Sequence, residues 1–418
     1  MSSIKVCAIT CDCYPEDPLV RRTAEAAATA GFEYHVICSM KEGQTAYEVF
    51  NGVHVHRIFM RGNKGKPLGR ITAKPLGTML VLWSLFAVLA FKKVACLQLT
   101  QQFDVVHVHN MPDFLVFAAV IPKILGAQVI LQVQDVAPEL MAVKAKGLFR
   151  KLTVRLAKWQ ERISTAFADH VLTVGWPFEE VLLQRGVPRA KLSSVLNSAD
   201  PKVFPVEKRT EPFLEEATSE RPIVLMYHGT CSKRNGLDIA IRAFARARAV
   251  APHLRLHLRG EGDALPRLKQ LAQTLGVADG VVFFPHGPLD TVADFVAQGD
   301  IGIIPYPSDG FMDLVLPTKA YEFALMRRPM IASSTPATRW LFRATSIMFC
   351  ETSNVDSFAE AIVDLYRHPQ KRAELVASAA RDYTNYRWES MATRYQELLA
   401  SLALKNKKEA LDAERTAA

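Results

Sequence analysis

The chain has 418 residues, 49% of them hydrophobic and 22% charged. At about 150 residues per domain this predicts two or three domains with ample material for cores, and it excludes low-complexity disorder and collagen-like repeats. Lys and Arg number 51 against 42 Asp and Glu, a net charge of +9, which fits an anionic partner (nucleotide, phospholipid surface or nucleic acid) as well as plain solubility charge.

Ile4–Thr10 is an apolar run of strand length, read as a buried parallel strand and too short for an export signal. The seven cysteines, at 7, 11, 13, 38, 96, 231 and 350, are odd in number and irregular in spacing. They predict a reduced, cytoplasmic compartment and no zinc knuckle. Pro18–Ala30 has helical spacing, with Asp17 as N-cap and Gly31 as stop. Phe32–Cys38 is the next strand, and Asn51-Gly52 marks a turn before Val53–Ile58. Pro75–Phe91 is uncharged and contains Trp83. As a helix it would span about 25 Å, short of the roughly 30 Å hydrocarbon core. Two readings stay open for it. One is a core helix with Trp83 and Leu85 packed inward. The other is a helix lying in a membrane surface between basic flanks, with Arg57, Arg61, Lys64, Lys66, Arg70 and Lys74 before it and Lys92 and Lys93 after it.

Val105–His109 is a strand, a helix runs from Asp113 to Gly126, and Gln128–Val133 is a strand. Leu148–Ala168 reads as a long amphipathic helix. His170–Val174 and Lys191–Leu196 close this half. Residues 207–220, polar and without periodicity, read as the interdomain linker or its edge. The alternation then restarts with strands at Ile223–Tyr227, Leu254–Leu258, Val281–Phe284, Ile301–Pro305 and Met330–Ala332, separated by helical stretches. A helix at Glu389–Leu404 precedes a charged tail expected to fray. The class is α/β, with two Rossmann-like doubly wound domains facing each other across a cleft. The expected domains are 1–205, 206–385, a C-terminal helix at 386–404 packing back on the first domain, and a tail at 405–418.

Ligands on such sheets bind beyond the carboxyl ends of the strands. After Ile223–Tyr227 comes His228-Gly229-Thr230-Cys231-Ser232-Lys233-Arg234-Asn235-Gly236, where Lys233 and Arg234 could neutralise phosphate. It is not a Walker loop, and a polar turn with solvated charges is the plain alternative. Gly260-Glu261-Gly262 follows Leu254–Leu258 and is a weak signal, equally a tight turn. After Ile301–Pro305 and a loop comes Pro317-Thr318-Lys319-Ala320-Tyr321-Glu322. Pro317 is read as the first helical residue. The free N–H groups there suit a diphosphate, and Glu322 stands where a carboxylate could accept ribose hydroxyls.

In this order the motifs resemble the retaining GT-B glycosyltransferases of the family-four group, over nearly the whole chain. The resemblance is carried by Pro317-x-Lys319-x-x-Glu322 with Arg328-Pro329-Met330-Ile331-Ala332-Ser333, by Gly229…Gly236-Leu237-Asp238, and by Asn197-x-x-Asp200-x-x-x-Phe204. In the first half it is carried by Asp104–Asn110 and Gln134-Asp135-Val136-Ala137-Pro138-Glu139. It implies a metal-independent enzyme without cofactor, with the acceptor on the first domain and a UDP-, GDP- or ADP-sugar on the second. Donor contacts would fall to Gly229, Thr230, Lys233, Arg234, Gly260, Glu261, Gly262, Pro317, Thr318, Lys319 and Glu322. His109, Gln134 and Asp313 would stand at the reacting sugar, and Arg21, Arg22, Asp135 and Glu139 at the acceptor. His109 reads equally as a hydrogen-bonded core residue.

The chain departs from the pattern at Leu314, where the family has the first of two Glu, with Asp313 beside it. It departs again at Thr230 and Asn235 in place of Arg and Lys, at Gln134 in place of His, and in Tyr14–Arg22, which lacks Gly-Gly. The expectation is a retaining sugar transferase acting on a lipid-linked or polysaccharide acceptor, peripheral on the cytoplasmic face of a membrane. An inactive GT-B scaffold is the alternative. No basic stripe with interleaved aromatics points to nucleic acid.

Overall fold

The computed structural model describes residues 3–62, 67–68, 76–144 and 150–417. Lys64, Lys66, Arg70, Lys74 and Pro75 of the expected basic-flanked run, and the expected helix start at Leu148, lie outside the described residues. The chain divides into two units, Met1–Leu196 with Glu389–Ala418, and Asn197–Trp388.

The first unit is built on β1 (Lys5–Ile9), β2 (Glu33–Ser39), β3 (Tyr47–Phe50), β4 (Val53–Ile58), β5 (Val105–His109), β6 (Gln128–Val133), β7 (His170–Thr173) and β8 (Leu192–Ser194). They form one sheet in the order β3-β4-β2-β1-β5-β6-β7-β8. All pairs are parallel except β3 with β4. Every residue of β5 and β6 is buried, as a parallel sheet covered on both faces requires. Its helices are α1 (Pro18–Thr29), α2 (Leu76–Gln101), α3 (Val120–Ile124), α4 (Ala137–Lys144), α5 (Arg150–Phe167) and α6 (Trp176–Gln184). Asp17 caps α1, accepting from Leu19 N and Val20 N at 2.9 and 3.1 Å.

The second unit has an all-parallel sheet of β9 (Ile223–His228), β10 (Leu254–Arg259), β11 (Val281–Phe284), β12 (Ile301–Ile304), β13 (Met330–Ser333) and β14 (Met348–Cys350), in the order β11-β10-β9-β12-β13-β14. Its helices are α7 (Leu237–Arg248), α8 (Leu265–Thr274), α9 (Val292–Ala297), α10 (Thr318–Leu325), α11 (Pro336–Leu341), α12 (Val355–Arg367) and α13 (Pro369–Tyr383). The last helix, α14 (Trp388–Ala417), belongs almost wholly to the first unit. There Tyr395 Oη lies 2.8 Å from Tyr34 Oη and 2.8 Å from His107 Nδ1, and Gln396 donates to Ala26 O at 3.0 Å.

Three expectations change. The stretch 207–220 is not a free linker. Arg372, buried, donates to the Phe213 carbonyl at 2.9 and 2.6 Å, Arg221 stacks 4.1 Å from the Phe213 ring, and Arg328 donates to Thr210. These bonds tie it to the second unit, whose boundary falls at Asn197. The tail at 405–418 does not fray at Leu404, because α14 continues to Ala417. Its sequence there holds good helix formers and neither Gly nor Pro.

The third change concerns α2. It runs 26 residues, about 39 Å, because Lys92 and Lys93 lie inside it rather than flanking it. By length and composition it could cross a membrane. It is instead packed on the sheet by one stripe: Met79, Trp83, Phe86, Ala90 and Val94 are all under 8% exposed. The other stripe faces out, with Leu80 at 50%, Val81 at 69%, Leu85 at 47% and Val88 at 53% exposure. Trp83 is thus inward, as the core reading requires, and Leu85 is outward, against it. Arg57 is no membrane flank either. It is buried, ion-paired with Glu48, and donates to the Thr45 carbonyl at 3.1 Å.

Candidate functional site

In the second sheet β9 has β10 on one side and β12 on the other. The chain winds outward from that junction both ways, so a ligand fits beyond the carboxyl ends of β9 and β12. β9 ends at His228 and turns through Gly229, at φ 119°. A Cβ on Gly260 would fall 1.9 Å from the Gly229 carbonyl oxygen, and one on Gly262 would fall 2.2 Å from that of Cys231. Only glycine lets the loop after β10 lie this close on the loop after β9. The two loops are joined by Gly229 N to Arg259 O at 3.0 Å, Cys231 N to Glu261 O at 2.8 Å and Ala264 N to Cys231 O at 3.0 Å. Gly260-Glu261-Gly262 therefore supports the turn through its backbone. Gly229 and Thr230 are left exposed at the tip.

Helix α10 points its N-terminus into the same place. It starts at Thr318, and Pro317 is its N-cap rather than its first residue, with no side-chain cap bond. The first-turn N–H groups are thus not met by a capping side chain, which leaves partial positive charge there. The Lys319 side chain is 6% exposed. Its Nζ donates to Tyr306 Oη at 2.9 Å and sits 4.8 Å from the Tyr227 ring centre and 5.1 Å from that of Tyr306. Burial alone would lower its pKa, but the Tyr227 and Tyr306 hydroxyls and Glu322 outweigh that and hold the ammonium charged, above the usual lysine range. A Cβ on Gly229 would meet Lys319 Nζ at 3.8 Å, so this cation stands directly behind the glycine turn. Tyr227 Oη donates to the Thr230 carbonyl at 2.9 Å and fixes the turn. Glu322, partly buried, has Oε2 3.0 Å from His228 Nε2, at ion-pair distance but off the line of a hydrogen bond.

Four more of the expected site residues have surroundings of their own. Lys233 is exposed and lines a cavity of about 220 Å³ with Leu237, Asp238 and Arg267, between α7 and α8, because the 3-10 turn Lys233–Asn235 swings it there. Arg234 lies 5.7 Å over the Phe311 ring. Asp313, half-buried, accepts from Ser308 Oγ at 3.0 Å on both carboxylate oxygens. Burial, with nearby Asp309, pushes its pKa up despite that bond. Glu261 contributes its carbonyl to the loop pairing, and its side chain is exposed.

In the first unit β1 is flanked by β2 and β5, and the corresponding strand ends carry His109 and Gln134. His109 is 1% exposed, its ring 4.2 Å from that of His107, and burial takes its pKa well below the usual value. Its Nδ1 lies 3.1 Å from Gln134 Nε2. Gln134 is half-buried, while His109 is enclosed behind it. Its burial agrees with the core reading left open for it in the sequence. Asn110 clamps the two strand ends: its Oδ1 accepts from Gln134 N at 2.8 Å, and its Nδ2 donates to Asp113 Oδ1 and Asp135 O, both at 2.8 Å. Burial lifts the Asp113 pKa to about 7, against the pull of the Asn110 hydrogen bond.

Glu139 is engaged by Arg185, which also binds Glu161 at 2.7 Å. Arg21 pairs with Glu25 at 3.0 Å, and Arg22 is buried on α1. Asp135 is half-buried beside Gln134. Among the described residues no group of three or more His, Cys, Asp or Glu is placed to hold a metal ion. Sequence reasoning missed His228, Tyr227, Tyr306 and Asn110 as site residues. Each lies within two residues of the carboxyl end of a parallel strand, which is the signal that could have found them.

Residues 18–197 match the glycosyl transferase 4-like domain, and residues 221–368 match the domain of glycosyl transferases group 1. The chain belongs to the GT-B glycosyltransferases. It is 28% identical over 185 residues to a D-inositol 3-phosphate glycosyltransferase of Thermobispora bispora, a match that covers 42% of this chain and 42% of that protein. The match thus spans less than half of that relative's length. Its fold matches sucrose-phosphate synthase of Thermosynechococcus elongatus with a TM-score of 0.75, at 16% identity, over 96% of this chain and 99% of that one. It also matches Anabaena HepE in complex with UDP-glucose with a TM-score of 0.69, at 14% identity, over 95% of this chain and all of that one. Within the GT-B family the 4-like domain falls on the unit of His109 and Gln134, and the group 1 domain on the unit of Gly229, Lys319 and Glu322.

Proposed function

We propose that the chain is a retaining glycosyltransferase that moves a sugar from a nucleotide diphosphate to an acceptor hydroxyl, with the donor on the second unit. The observation that carries this reading is the pairing of the open glycine turn at Gly229 with the uncapped start of α10, backed by the buried Lys319 ammonium. As the bond from the anomeric carbon to the diphosphate breaks, negative charge grows on the leaving phosphate. Fixed N–H groups and a desolvated cation are worth most against charge that develops in the reaction. Glu322 is the acceptor for ribose hydroxyls, steadied by His228. No metal or other cofactor is invoked. The GT-B family membership and the UDP-glucose held by Anabaena HepE support a nucleotide-sugar donor.

On the first unit the proposal places the acceptor near Gln134 and Asp135. Its carrier is a lipid or a growing polysaccharide at the cytoplasmic face of a membrane, and the outward Leu80, Val81, Leu85 and Val88 of α2 meet the surface. The test is incubation of the purified chain with UDP-, GDP- and ADP-sugars and a lipid-linked acceptor extract, followed by mass spectrometry and by NMR of the anomeric proton. A new glycan with the donor's anomeric configuration is the expected product. Nucleotide binding with no transfer to any acceptor fraction would identify an inactive scaffold instead.

A further inference from the structure

Helix α5 leaves a stripe of large apolar side chains on its outer side. Its fully buried residues are Glu161, Ser164 and Thr165, and Glu161 is there to receive Arg185. Val154, Ile163 and Phe167 are half-buried, but three large apolar residues face out: Leu152 is 52%, Leu156 56% and Trp159 63% exposed. Their spacing of four and then three residues puts them on one stripe of the helix. A second exposed stripe beside it carries Lys151, Arg155, Lys158 and Arg162. No acidic side chain is exposed on α5.

We infer that this face of α5 is a contact surface for an anionic lipid bilayer. Leu and Trp side chains enter the headgroup boundary, and the flanking Lys and Arg meet lipid phosphates. Trp belongs at such a boundary, where its ring is apolar and its N–H stays wet. The charge decides the occupant. A second copy of the chain would set this cationic stripe against itself, whereas an anionic leaflet complements it.

The placement of α5 joins it to α2. Both helices pack against the 3-10 segment Asp113–Ala119. Between α2 and that segment runs an apolar groove of about 380 Å³ lined by Ser84, Val88, Phe91, Phe114 and Phe117. Helix α5 also packs against α4, which begins three residues after Gln134. The outward residues Leu80 to Val88 lie in the first half of α2, and Leu152 to Trp159 run from the first turn of α5 to its middle. Lipid contact at α5 rests on the proposed lipid-borne acceptor for its purpose, but its geometry is independent of α2.

Sedimentation of the full chain with vesicles tests it, using phosphatidylcholine alone and phosphatidylcholine mixed with phosphatidylglycerol. The wild type is expected to bind the mixed vesicles, more weakly at high salt, with a blue-shifted Trp emission that W159F loses. R155E/K158E/R162E and L152S/L156S/W159S are each expected to lower the bound fraction at least tenfold while circular dichroism and nucleotide binding stay unchanged. V81S/L85S/V88S reports on α2 separately. If both α5 variants bind as the wild type does, the α5 surface is wrong while the α2 contact and the transferase reading stand. A chain that stays in the supernatant at low salt overturns the lipid surface altogether. So does a wild-type dimer that the α5 variants dissociate without any vesicle binding.

Discussion

Replacing Glu322 by alanine is expected to raise the donor KM and to lower turnover at least tenfold. The carboxylate is partly buried and lies 3.0 Å from His228 Nε2. Its removal takes away the proposed ribose acceptor and also leaves His228, at 8% exposure, without its neighbour. Losing a charged hydrogen-bonding partner of a bound ligand costs about 1.5–3 kcal/mol, roughly ten- to hundredfold in kcat/KM. Glu322→Gln keeps the shape and one acceptor oxygen, so it should fall between wild type and Glu322→Ala. Steady-state kinetics with the donor identified by screening checks this. Unchanged kinetics in Glu322→Ala would remove the residue from the site.

Acid lability is the second large expected effect, and it resides in the first unit. Burial lowers the His107 pKa to about 3, with a Gln132 hydrogen bond pulling the other way. Burial likewise lowers His56 and His170 to about 4 each. Each is neutral in the folded chain and takes up a proton near pH 6.5 when unfolded. The unfolded state therefore binds more protons between about pH 6.5 and the folded value, so the stabilisation is complete above pH 6.5 and is lost as pH falls toward 4. His107, fully enclosed, contributes a slope of up to about 1.4 kcal/mol per pH unit. The other two, less enclosed, contribute less. Asp113, lifted to about 7 by burial, opposes the trend, because protonation favours its folded form as pH falls.

The urea midpoint of the first-unit transition should drop steeply between pH 6.5 and 4.5. His107→Asn keeps a polar atom near the Tyr395 hydroxyl and cannot titrate, so its midpoint should drop more gently. Parallel curves for the two proteins would show that His107 does not bear this load.

The alternating strands were legible because parallel strands are apolar on both faces. Gln128–Val133 and Val281–Phe284 were read with the bounds they have. What the pattern does not carry is which side of a long apolar or amphipathic helix faces inward. Trp83 and Leu85 are two residues apart in α2 and point to opposite sides. In α5 Glu161 is buried while Leu156 and Trp159 are exposed, because Arg185 reaches Glu161 from α6's end. Lys233 and Arg234 are adjacent in sequence, yet a single 3-10 turn sends one toward α7 and α8 and the other over Phe311.

The proposed donor site was legible as a set of strand ends, since Gly229, Lys319 and Glu322 do converge. The contacts that hold it together were not, because His228–Glu322 and Lys319–Tyr306 join segments distant in the chain. His109 illustrates the same gap. A histidine that ends an all-buried strand is enclosed by the sheet's own packing, whereas Gln134 and Asp135, just past the neighbouring strand, are half-buried.

Hydrogen exchange with and without nucleoside diphosphate tests the central claim most directly. UDP, GDP and ADP are each added to the full chain, and amide exchange is followed by mass spectrometry. Slowed exchange confined to Gly229–Asn235 and Pro317–Glu322 with one of the three nucleotides is the predicted result, weakened in Glu322→Ala. Protection absent from both segments at saturating concentration of all three, or found only in the first unit, would contradict the placement of the nucleotide at the Gly229 turn and the start of α10.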